Sequence, residues 1–401
     1  MSFQDSSVTL LKSATAFRER FNMRYCSRNA VALLSFILIF TKNMDEVQKV
    51  IARLKDEHRL NSLEYKQLLL DDNTETRDLL RTEARKAALS VFGNGIFVRG
   101  LMEIGNHCRN NCLYCGIRAG NAKVRRYRLD REEILDCCHR GYKMGFRTFV
   151  LQGGEDPDRS DDWLEDLIRA IKAAYPDCAV TLSLGERSEE SYSRLREAGA
   201  DRYLLRHETF NPEHYARLHP AGMSRDRRLE CIAALKRLGY QTGTGIMVGS
   251  PWQTIDNIVE DLLYIQDLRP EMIGIGPFVH HRDTPLGDMP DGSMEMCTKL
   301  ISIFRLMDPQ ALIPATTALA TLDPDGRKKG ILAGANVVMP NLSPAAVRRD
   351  YSLYEGKASE GAESAEGLDE LRKELQGMGY NIVVGRGDYG CGENVDKKCT
   401  T

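Results

Sequence analysis

The sequence predicts an α/β protein whose main domain is a complete parallel (β/α)8 barrel of the TIM type. Beyond residue 100, short apolar runs alternate with longer amphipathic stretches, which is the pattern of strands joined by helices. Eight such runs occur, and we assign them as strands: 101–105, 147–151, 179–184, 202–206, 243–248, 272–276, 312–317 and 335–339. In this fold, the loops after the carboxyl ends of the strands carry the chemistry.

Helices fill the intervals between these strands. One opens at Asp130, with Glu133 three residues later in a capping-box arrangement, and closes before Gly145. Outside the helices and strands of the barrel, the Gly-, Ser- and Glu-rich stretch 356–367 predicts a loop. The predicted domains are a helical layer at 44–100, the barrel at 101–340, and a C-terminal extension packed on the barrel at 341–401.

The first 43 residues differ in composition from the rest. They carry six Lys or Arg and two acids, and they end in the apolar run 30–40. This run is too short to span a bilayer, which takes about 20 residues. A signal peptide is disfavoured, because export would place reduced cysteines in an oxidising space. We interpret residues 1–43 as an organelle leader, a disordered tail, or a misassigned start upstream of Met44.

Composition narrows the classes of partner. The chain has 401 residues, of which 42% are hydrophobic and 28% charged, and its formal net charge is −2. Without a clustered basic block, nucleic acid is not expected as a partner, and no membrane association is expected either; small molecules are favoured. Eleven cysteines, an odd number, are typical of a reducing compartment without disulfides. We expect a cytoplasmic protein, or one of an organelle matrix if the leader is genuine.

The segment GNHCRNNCLYCGIRAGN directly follows the first predicted strand. It contains Cys108, Cys112 and Cys115, with no fourth Cys or His at ligand spacing. Structural zinc needs four protein ligands, whereas three thiolates on a [4Fe-4S] cube leave one iron open to an exogenous ligand. The spacing resembles that of the radical SAM superfamily, including the aromatic Tyr114 before the third cysteine. In that superfamily, the open iron binds S-adenosylmethionine (SAM).

Two further loops place polar groups and glycines at predicted strand ends. Gly153 and Gly154 follow the second strand and allow main-chain carbonyls to approach a ligand's ammonium group, while Glu155 supplies negative charge. Thr181 and Ser183 share one face of the third strand by period-two alternation. Each loop alone is also compatible with an ordinary strand-to-helix connection.

Arg206 and Glu208 alternate in the same way at the end of the fourth strand. Opposite charges are therefore expected side by side near the mouth of the barrel. A structural ion pair and a ligand site explain this pair equally well.

Eight stretches together resemble the HydE family of radical SAM maturases, which helps to build the organometallic cofactor of [FeFe]-hydrogenase. They are CRNNCLYCG, LQGGEDP, VTLSLGE, AGADRYLLRHET, LGYQTGTGIMVG, IGIGPFVHHRDTPL, PATTALAT and GANVVMPN, in this order. The resemblance extends from about Met44 to about residue 390.

The resemblance implies roles for individual positions. Cys108, Cys112 and Cys115 would hold the cluster. The positions that would bind SAM are Glu208, Arg228, Ser183, the main chain near Gly153 and Gly154, and Met247 beside the adenosyl group. The positions that would line an internal cavity for an anionic substrate are Arg206, Thr181, Thr316, Thr317, Met339 and Tyr351.

The resemblance also implies a reaction and partners. A 5'-deoxyadenosyl radical, formed from SAM, would attack the cysteine sulfur of a mononuclear iron complex that carries cysteinate, carbon monoxide and cyanide. Another radical SAM maturase that forms the CO and CN ligands would supply this complex, and a GTPase scaffold would receive the product. A ferredoxin or flavodoxin would supply the electron.

Three departures from the family pattern stand out. Residues 356–367 lack the cysteines of an accessory cluster, and Cys391 and Cys399 provide at most half a site, so one cluster is expected. The loop GSPWQT places Trp252 where the family has glycine, beside the expected adenine pocket. VHHRDTP, at 279–285, is interpreted as a solvated loop.

Two other interpretations remain open. Biotin synthase and methylornithine synthase share the barrel and the cysteine triplet but act on organic substrates; PATTALAT and VVMPN favour the maturase. A non-catalytic iron-sulfur scaffold is the other, although intact Glu208 and Arg228 argue against it. The remaining cysteines 137, 138, 178, 231 and 297 are expected in the core.

Overall fold

The computed structural model describes residues 45–390 of the chain. The chain divides into two compact units, Met1–Lys49 and Val50–Thr401. Of the first unit, the structure describes residues 45–49, which are helical. The elements and sites named below belong to the second unit, Val50–Thr401. The proposed leader, Cys391 and Cys399 lie outside the described residues. Between residues 45 and 390, no helix is long and apolar enough to cross a membrane.

The strands of the described residues pair in parallel. Their bounds are β1 Gly95–Val98, β2 Gly100–Gly105, β3 Thr148–Gly153, β4 Ala179–Ser183, β5 Arg202–Leu204, β6 Gln241–Val248, β7 Met272–Pro277, β8 Val337–Val338 and β9 Asn381–Val383. Strands β2 to β7 form one sheet in sequence order, and the other three form a sheet in the order β8-β1-β9.

Three isolated bridges close these strands into a barrel. They join Met272 to Leu312, Pro314 to Val337, and Leu101 to Asn341. The predicted seventh strand, 312–317, is therefore wrong in extent, since only Leu312 and Pro314 make parallel bridges. Pro314 has no N–H to donate to a ladder, and Thr316 is already the N-cap of the next helix. The complete barrel is confirmed, with an irregular seventh position.

The barrel begins earlier than the sequence predicts. Residues 95–98, assigned to the helical layer, form β1, which pairs with β8 on one side and β9 on the other. The preceding helix ends at Gly93, which adopts a positive φ of 54°, a conformation that costs glycine little. The following GIFV then presents β-branched and aromatic residues, which favour a strand.

Helices connect the strands on the outside of the barrel. The helix Arg131–Lys143 starts at the predicted N-cap Asp130, and the capping box with Glu133 is confirmed. The other helices are 50–57, Ser62–Leu70, Thr74–Phe92, Asp161–Ala174, Glu189–Glu197, Pro212–Leu218, Arg225–Arg237, Ile255–Leu268, Met294–Met307, Thr317–Leu322, Gly326–Leu332, Ala345–Arg348 and Leu368–Gly377, with a 3-10 turn at Gly361–Glu363.

Residues after β9 lie against the amino ends of the strands. The guanidinium of Arg202, which is fully buried, pairs with Asp388 at 2.6 Å. Arg386 pairs with Asp201 at 2.8 Å and also with Asp388. Burial opposes ionisation of Asp388, but Arg202 and Arg386 outweigh it and hold the pKa of this carboxyl well below its usual value. This network fixes the C-terminal segment to the barrel.

Replacing Asp388 with Asn should lower the free energy of unfolding by about 3–5 kcal/mol, because it leaves the buried Arg202 without a counter-charge. Since the folded pKa is depressed, this stabilisation is present above the ordinary Asp range and is lost as the pH falls below about 4. Urea denaturation at several pH values measures both effects. Asp369→Asn, which removes a surface partner of Arg372, is the control and should change stability by less than about 1 kcal/mol. Equal losses for the two variants would contradict this account.

Candidate functional site

The loop between β2 and the helix Arg131–Lys143 is organised by one arginine. Arg126 donates hydrogen bonds to the main-chain oxygens of four residues, at 2.5 to 3.2 Å: Asn106, Ile117, Arg118 and Asn121. Its guanidinium thereby connects the two ends of the segment that carries the cysteines. The planar arrangement of five N–H donors suits this task, and a lysine has fewer donors and no fixed geometry.

The three cysteines of this loop are free thiols, each partly buried by its exposed area. Burial raises the pKa of all three, to about 12 for Cys115, and for Cys112 the neighbouring Cys115 and Cys108 add to the rise. Among residues 45–390, no three His, Cys, Asp or Glu side chains converge on a single metal ion. A cube instead takes one thiolate on each of three different irons, so this donor set fits a [4Fe-4S] cluster.

The end of β3 packs directly beneath the cysteine loop. A Cβ on Gly154 would lie 2.3 Å from the carbonyl oxygen of His107 and 2.6 Å from the Cβ of Cys108. Only glycine permits this approach. Gly153 pairs in register with Gly105 at the end of β2. Gly154 therefore lies beside Cys108, and Gly153 lies beside the end of β2, from which the cysteine loop begins.

Glu155 has a different environment from the one expected. Arg109 donates to one of its carboxylate oxygens at 3.1 Å, and the N–H of Glu186 donates to the other at 2.9 Å. Its main-chain oxygen accepts the N–H of Arg109 at 2.9 Å. The carboxylate thus connects the cysteine loop to the loop after β4; the negative charge that Glu155 is expected to supply to a ligand stays a prediction.

Arg206, Glu208 and Arg228 come together at the carboxyl end of β5. The predicted proximity of Arg206 and Glu208 is confirmed, with Nη2 and Oε2 3.0 Å apart. That oxygen is buried but lacks a partner in hydrogen-bond geometry, so it can accept a hydrogen bond from a ligand. Arg228 donates to the carbonyl of Arg206 at 2.9 Å and to Glu186 at 2.6 Å. The sequence did not lead us to predict Glu186 as a site residue, although its position directly after a predicted strand could have indicated this role.

An apolar wall lies next to the cysteine loop. Met247 packs in a buried cluster with Leu218, Phe278 and Leu286, against which Tyr114 also packs. The Tyr114 hydroxyl lies 3.3 Å from Nε2 of His219. Burial lowers the pKa of His219 to about 3, so this imidazole is neutral and adds no charge beside the cysteines.

The interior of the barrel is lined by polar side chains on one side and by a glycine, which has no side chain, on the other. Thr181 is buried, and its hydroxyl has no hydrogen-bond partner. Ser183, which is half-buried, pairs in register with Gln152, whose amide donates to the hydroxyl of Tyr351 at 3.4 Å. Opposite them, Gly274 of β7 leaves the space that a side chain would fill next to Leu204 and Arg206.

The other predicted cavity residues are distributed over three places. Thr316 donates to the carbonyl of Ile275 at 3.3 Å and faces Gly276 inside the barrel. Thr317 instead donates to Glu363 at 2.9 Å. Met339 packs on the cluster at the amino end of the barrel, which contains Phe92, Phe97, Met272, Leu312 and Val337.

A segment of the C-terminal extension, residues 350–357, crosses the carboxyl end of the barrel, and we call it the strap. The N–H of Gly116 donates to the carbonyl of Leu353 at 2.8 Å. The N–H of Glu355 donates to the carbonyl of His280 at 2.8 Å. Arg282 donates to the Glu355 carboxylate at 2.8 Å. The strap therefore joins the cysteine loop to the loop after β7.

The two loops that depart from the family pattern, VHHRDTP and the loop with Trp252, differ in how far their side chains are buried. The solvated-loop interpretation is wrong for His281, which is buried and would contact any side chain on Gly116. Trp252 is 46% exposed with a positive φ of 65°, and Arg217 lies over its ring at 5.7 Å. The five cysteines expected in the core are all buried, as predicted.

Known proteins share this architecture. Residues 102–265 match the model of the Radical SAM superfamily. The chain is 46% identical to the [FeFe] hydrogenase maturase subunit HydE of Thermotoga maritima over 265 residues, which are 66% of this chain and 75% of that protein. The chain belongs to the HydE family of radical SAM enzymes. Membership of this family implies a [4Fe-4S] cluster and SAM, which the cysteine loop and the free oxygen of Glu208 fit.

Three further similarities relate the HydE family chain to other known proteins. It is 30% identical to 3-methylornithine synthase of Methanosarcina barkeri over 303 residues, 75% of this chain and 85% of that protein. The crystal structure of methylornithine synthase (PylB) superposes with a TM-score of 0.72 at 27% identity, covering 83% of this chain and 97% of that one. HydG, at 20% identity and a TM-score of 0.73, shares the fold.

Replacing Arg126 with Lys should reduce the iron bound after anaerobic reconstitution by at least about half, because carbonyls left without a donor cost about 1–3 kcal/mol each. Iron analysis and the EPR signal of the reduced cluster measure the effect. Arg125→Lys is the matched control, since Arg125 is exposed and pairs with Asp350. If both variants bound iron like the wild type, Arg126 would not organise the loop.

Proposed function

We propose that this HydE family enzyme acts on an iron complex that carries cysteinate, carbon monoxide and cyanide, in the assembly of the [FeFe]-hydrogenase cofactor. The observation that carries the proposal is Arg206, a cation beside the free oxygen of Glu208 at the carboxyl end of β5. A partly enclosed guanidinium favours an anionic substrate over a neutral carbon skeleton. The 46% identity to a HydE maturase supports the same substrate class.

The chain's own residues would divide the work between cofactor and substrate. Cys108, Cys112 and Cys115 would hold the cluster, which supplies the electron that converts SAM to methionine and a 5'-deoxyadenosyl radical. Glu208 would accept hydrogen bonds from the ammonium group of SAM, and Arg228 holds the main chain of residue 206 in place.

The surroundings would protect a radical from side reactions. The wall that contains Met247 would pack against the adenosyl group and exclude water. Thr181 and Thr316 would offer hydroxyls to the substrate in the barrel interior. The adenosyl radical would then form a C5'–S bond with the cysteine sulfur of the bound complex. The Fe–S bond would break homolytically, and its second electron would stay on the iron, which is thereby reduced by one electron.

We further propose one cluster per chain and three kinds of protein partner. The stretch 356–367 contains no cysteine, and the five cysteines at 137, 138, 178, 231 and 297 are buried in the core. The partners would be the maturase that makes the CO and CN ligands, the GTPase scaffold, and a ferredoxin or flavodoxin.

Replacing Arg206 with Ala should lower turnover of the cysteinate-iron complex at least tenfold, if the lost contact is worth about 1.5–3 kcal/mol. Cluster content and SAM binding should persist, because the carbonyl of residue 206 that receives Arg228 is part of the main chain. Arg237→Ala, which removes an exposed cation paired with Glu189, is the control and should leave turnover unchanged.

Two outcomes would refute this assignment. Normal maturation of hydrogenase by the Arg206→Ala variant would make Arg206 a structural partner of Glu208. A wild-type enzyme that ignored the iron complex but rearranged an amino acid would support a methylornithine synthase activity, consistent with the 30% identity to that enzyme.

A further inference from the structure

A second cation enters the barrel from the strap. Lys357 pairs with Glu103 of β2, and their side chains are 9% and 0% exposed. The other carboxylate oxygen of Glu103 accepts a hydrogen bond from Asn341 at 2.9 Å. Within the described residues, Glu103 is the one hydrogen-bond acceptor that Lys357 reaches. An ammonium group has three donors, so two remain available to a ligand.

The Lys357 ammonium faces the same interior as the predicted cavity residues. It lies 5.3 Å from the ring centre of Tyr351. Glu103 pairs in register with Gln152, and Gln152 with Ser183, so these three side chains form one layer on the same face of neighbouring strands. That layer is the polar side of the interior described above.

Arg206 belongs to the same chamber. Burial raises the pKa of Tyr354 on the strap, and the charges of Glu103 and Arg206 both act on it, in opposite directions. The Arg206 side chain lies beside Gly274 of β7, inside the barrel, with its Cδ 3.9 Å from the position that a Cβ on this glycine would take. The chamber thus offers two cations: Arg206, next to Glu208, and Lys357, next to Glu103.

Lys357 also lines a cavity on the outer side of the strap. This cavity has a volume of about 460 Å³ and contains Tyr351, Arg348 and Arg349 in its lining. Arg348 and Arg349 pair with Glu366 and Glu360. Lys357 is thus the cation that borders both the outer cavity and the barrel interior.

We propose that Lys357 binds the carboxylate of the substrate and thereby selects substrates that carry this carboxylate. Glu103 holds the ammonium in position when no carboxylate is present and competes with the substrate for it. This inference rests on the proposed function, because it specifies which part of the cysteinate-iron complex the strap recognises. A carboxylate bound by an ammonium forms a charge-assisted hydrogen bond, which is stronger than a neutral one.

Two synthetic iron dicarbonyl cyanide complexes test the proposal, one with L-cysteinate and one with cysteamine, which lacks only the carboxylate. The wild type should prefer the cysteinate complex. Lys357→Met should raise KM for this complex at least about tenfold while KM for the cysteamine complex stays within about twofold. Lys357→Arg should restore part of the preference. Arg349→Met, on the same segment but exposed, should behave like the wild type.

The variant Glu103→Gln distinguishes two roles for Lys357, namely binding of the substrate carboxylate and a structural ion pair with Glu103. If Lys357 binds the carboxylate, the neutral amide no longer competes, and KM for the cysteinate complex should stay the same or fall. If the pair only fastens the strap, Glu103→Gln and Lys357→Met should damage turnover of both complexes alike, which would overturn the proposal. Glu103→Gln remains decisive by itself if Lys357→Met fails to fold, because a loss of turnover of both complexes in this variant alone would overturn the proposal.

Measurements on the wild type alone distinguish a failure of the Lys357 proposal from a failure of the proposed function. Equal KM values for the two complexes would overturn the role of Lys357 and leave the proposed function intact. Turnover of neither complex would refute the proposed function, and the role of Lys357 with it.

Discussion

The hydrogen bonds from Arg126 to four main-chain oxygens are the interaction on which the rest of the site depends. A loop that must present three thiolates cannot rely on a helix or sheet to satisfy its backbone, and unpaired buried carbonyls are costly. Arg126 satisfies these groups from within the loop. The bare Gly154 then lets the end of β3 support the loop from below. Backbone packing therefore holds in place the loop that carries the three cysteines.

The strap extends this constraint to the substrate side. It bonds to Gly116, immediately after the third cysteine, and to the loop after β7, so it closes the chamber at the same place where the cysteines lie. Its Lys357 faces a carboxylate of β2, and Arg206 lies beside a carboxylate at the end of β5. Each cation is thus partly neutralised by the protein, which lowers the cost of enclosing it and leaves donors free for an anion.

Local patterns in the sequence predicted the parts of the protein that depend on local contacts. The cysteine spacing, the capping box at Asp130 and the alternation of Arg206 with Glu208 all rest on residues within a few positions of each other. The seventh strand was predicted too long, because the periodicity of apolar residues gives no information about the N–H that Pro314 lacks. The start of the barrel was misplaced because the run GIFV is too short to identify a strand by its period.

The remaining features depend on contacts between distant positions. Lys357 and Glu103 are 254 residues apart, and neither lies in a motif that indicates the other. Arg126 binds carbonyls, which carry no sequence signal at all. Glu155 shows the same dependence, because its position after a strand does not indicate that Arg109 and the N–H of Glu186 donate to its two carboxylate oxygens.

In the reaction that we propose, this chamber directs an adenosyl radical onto a sulfur bound to iron. A single anaerobic turnover of the reduced wild-type enzyme with SAM and the cysteinate-iron complex, followed by mass spectrometry of the small molecules, tests it most directly. The account predicts methionine together with a product in which the adenosyl group is bonded to the cysteine sulfur. Formation of 5'-deoxyadenosine with the iron complex recovered unchanged would contradict it.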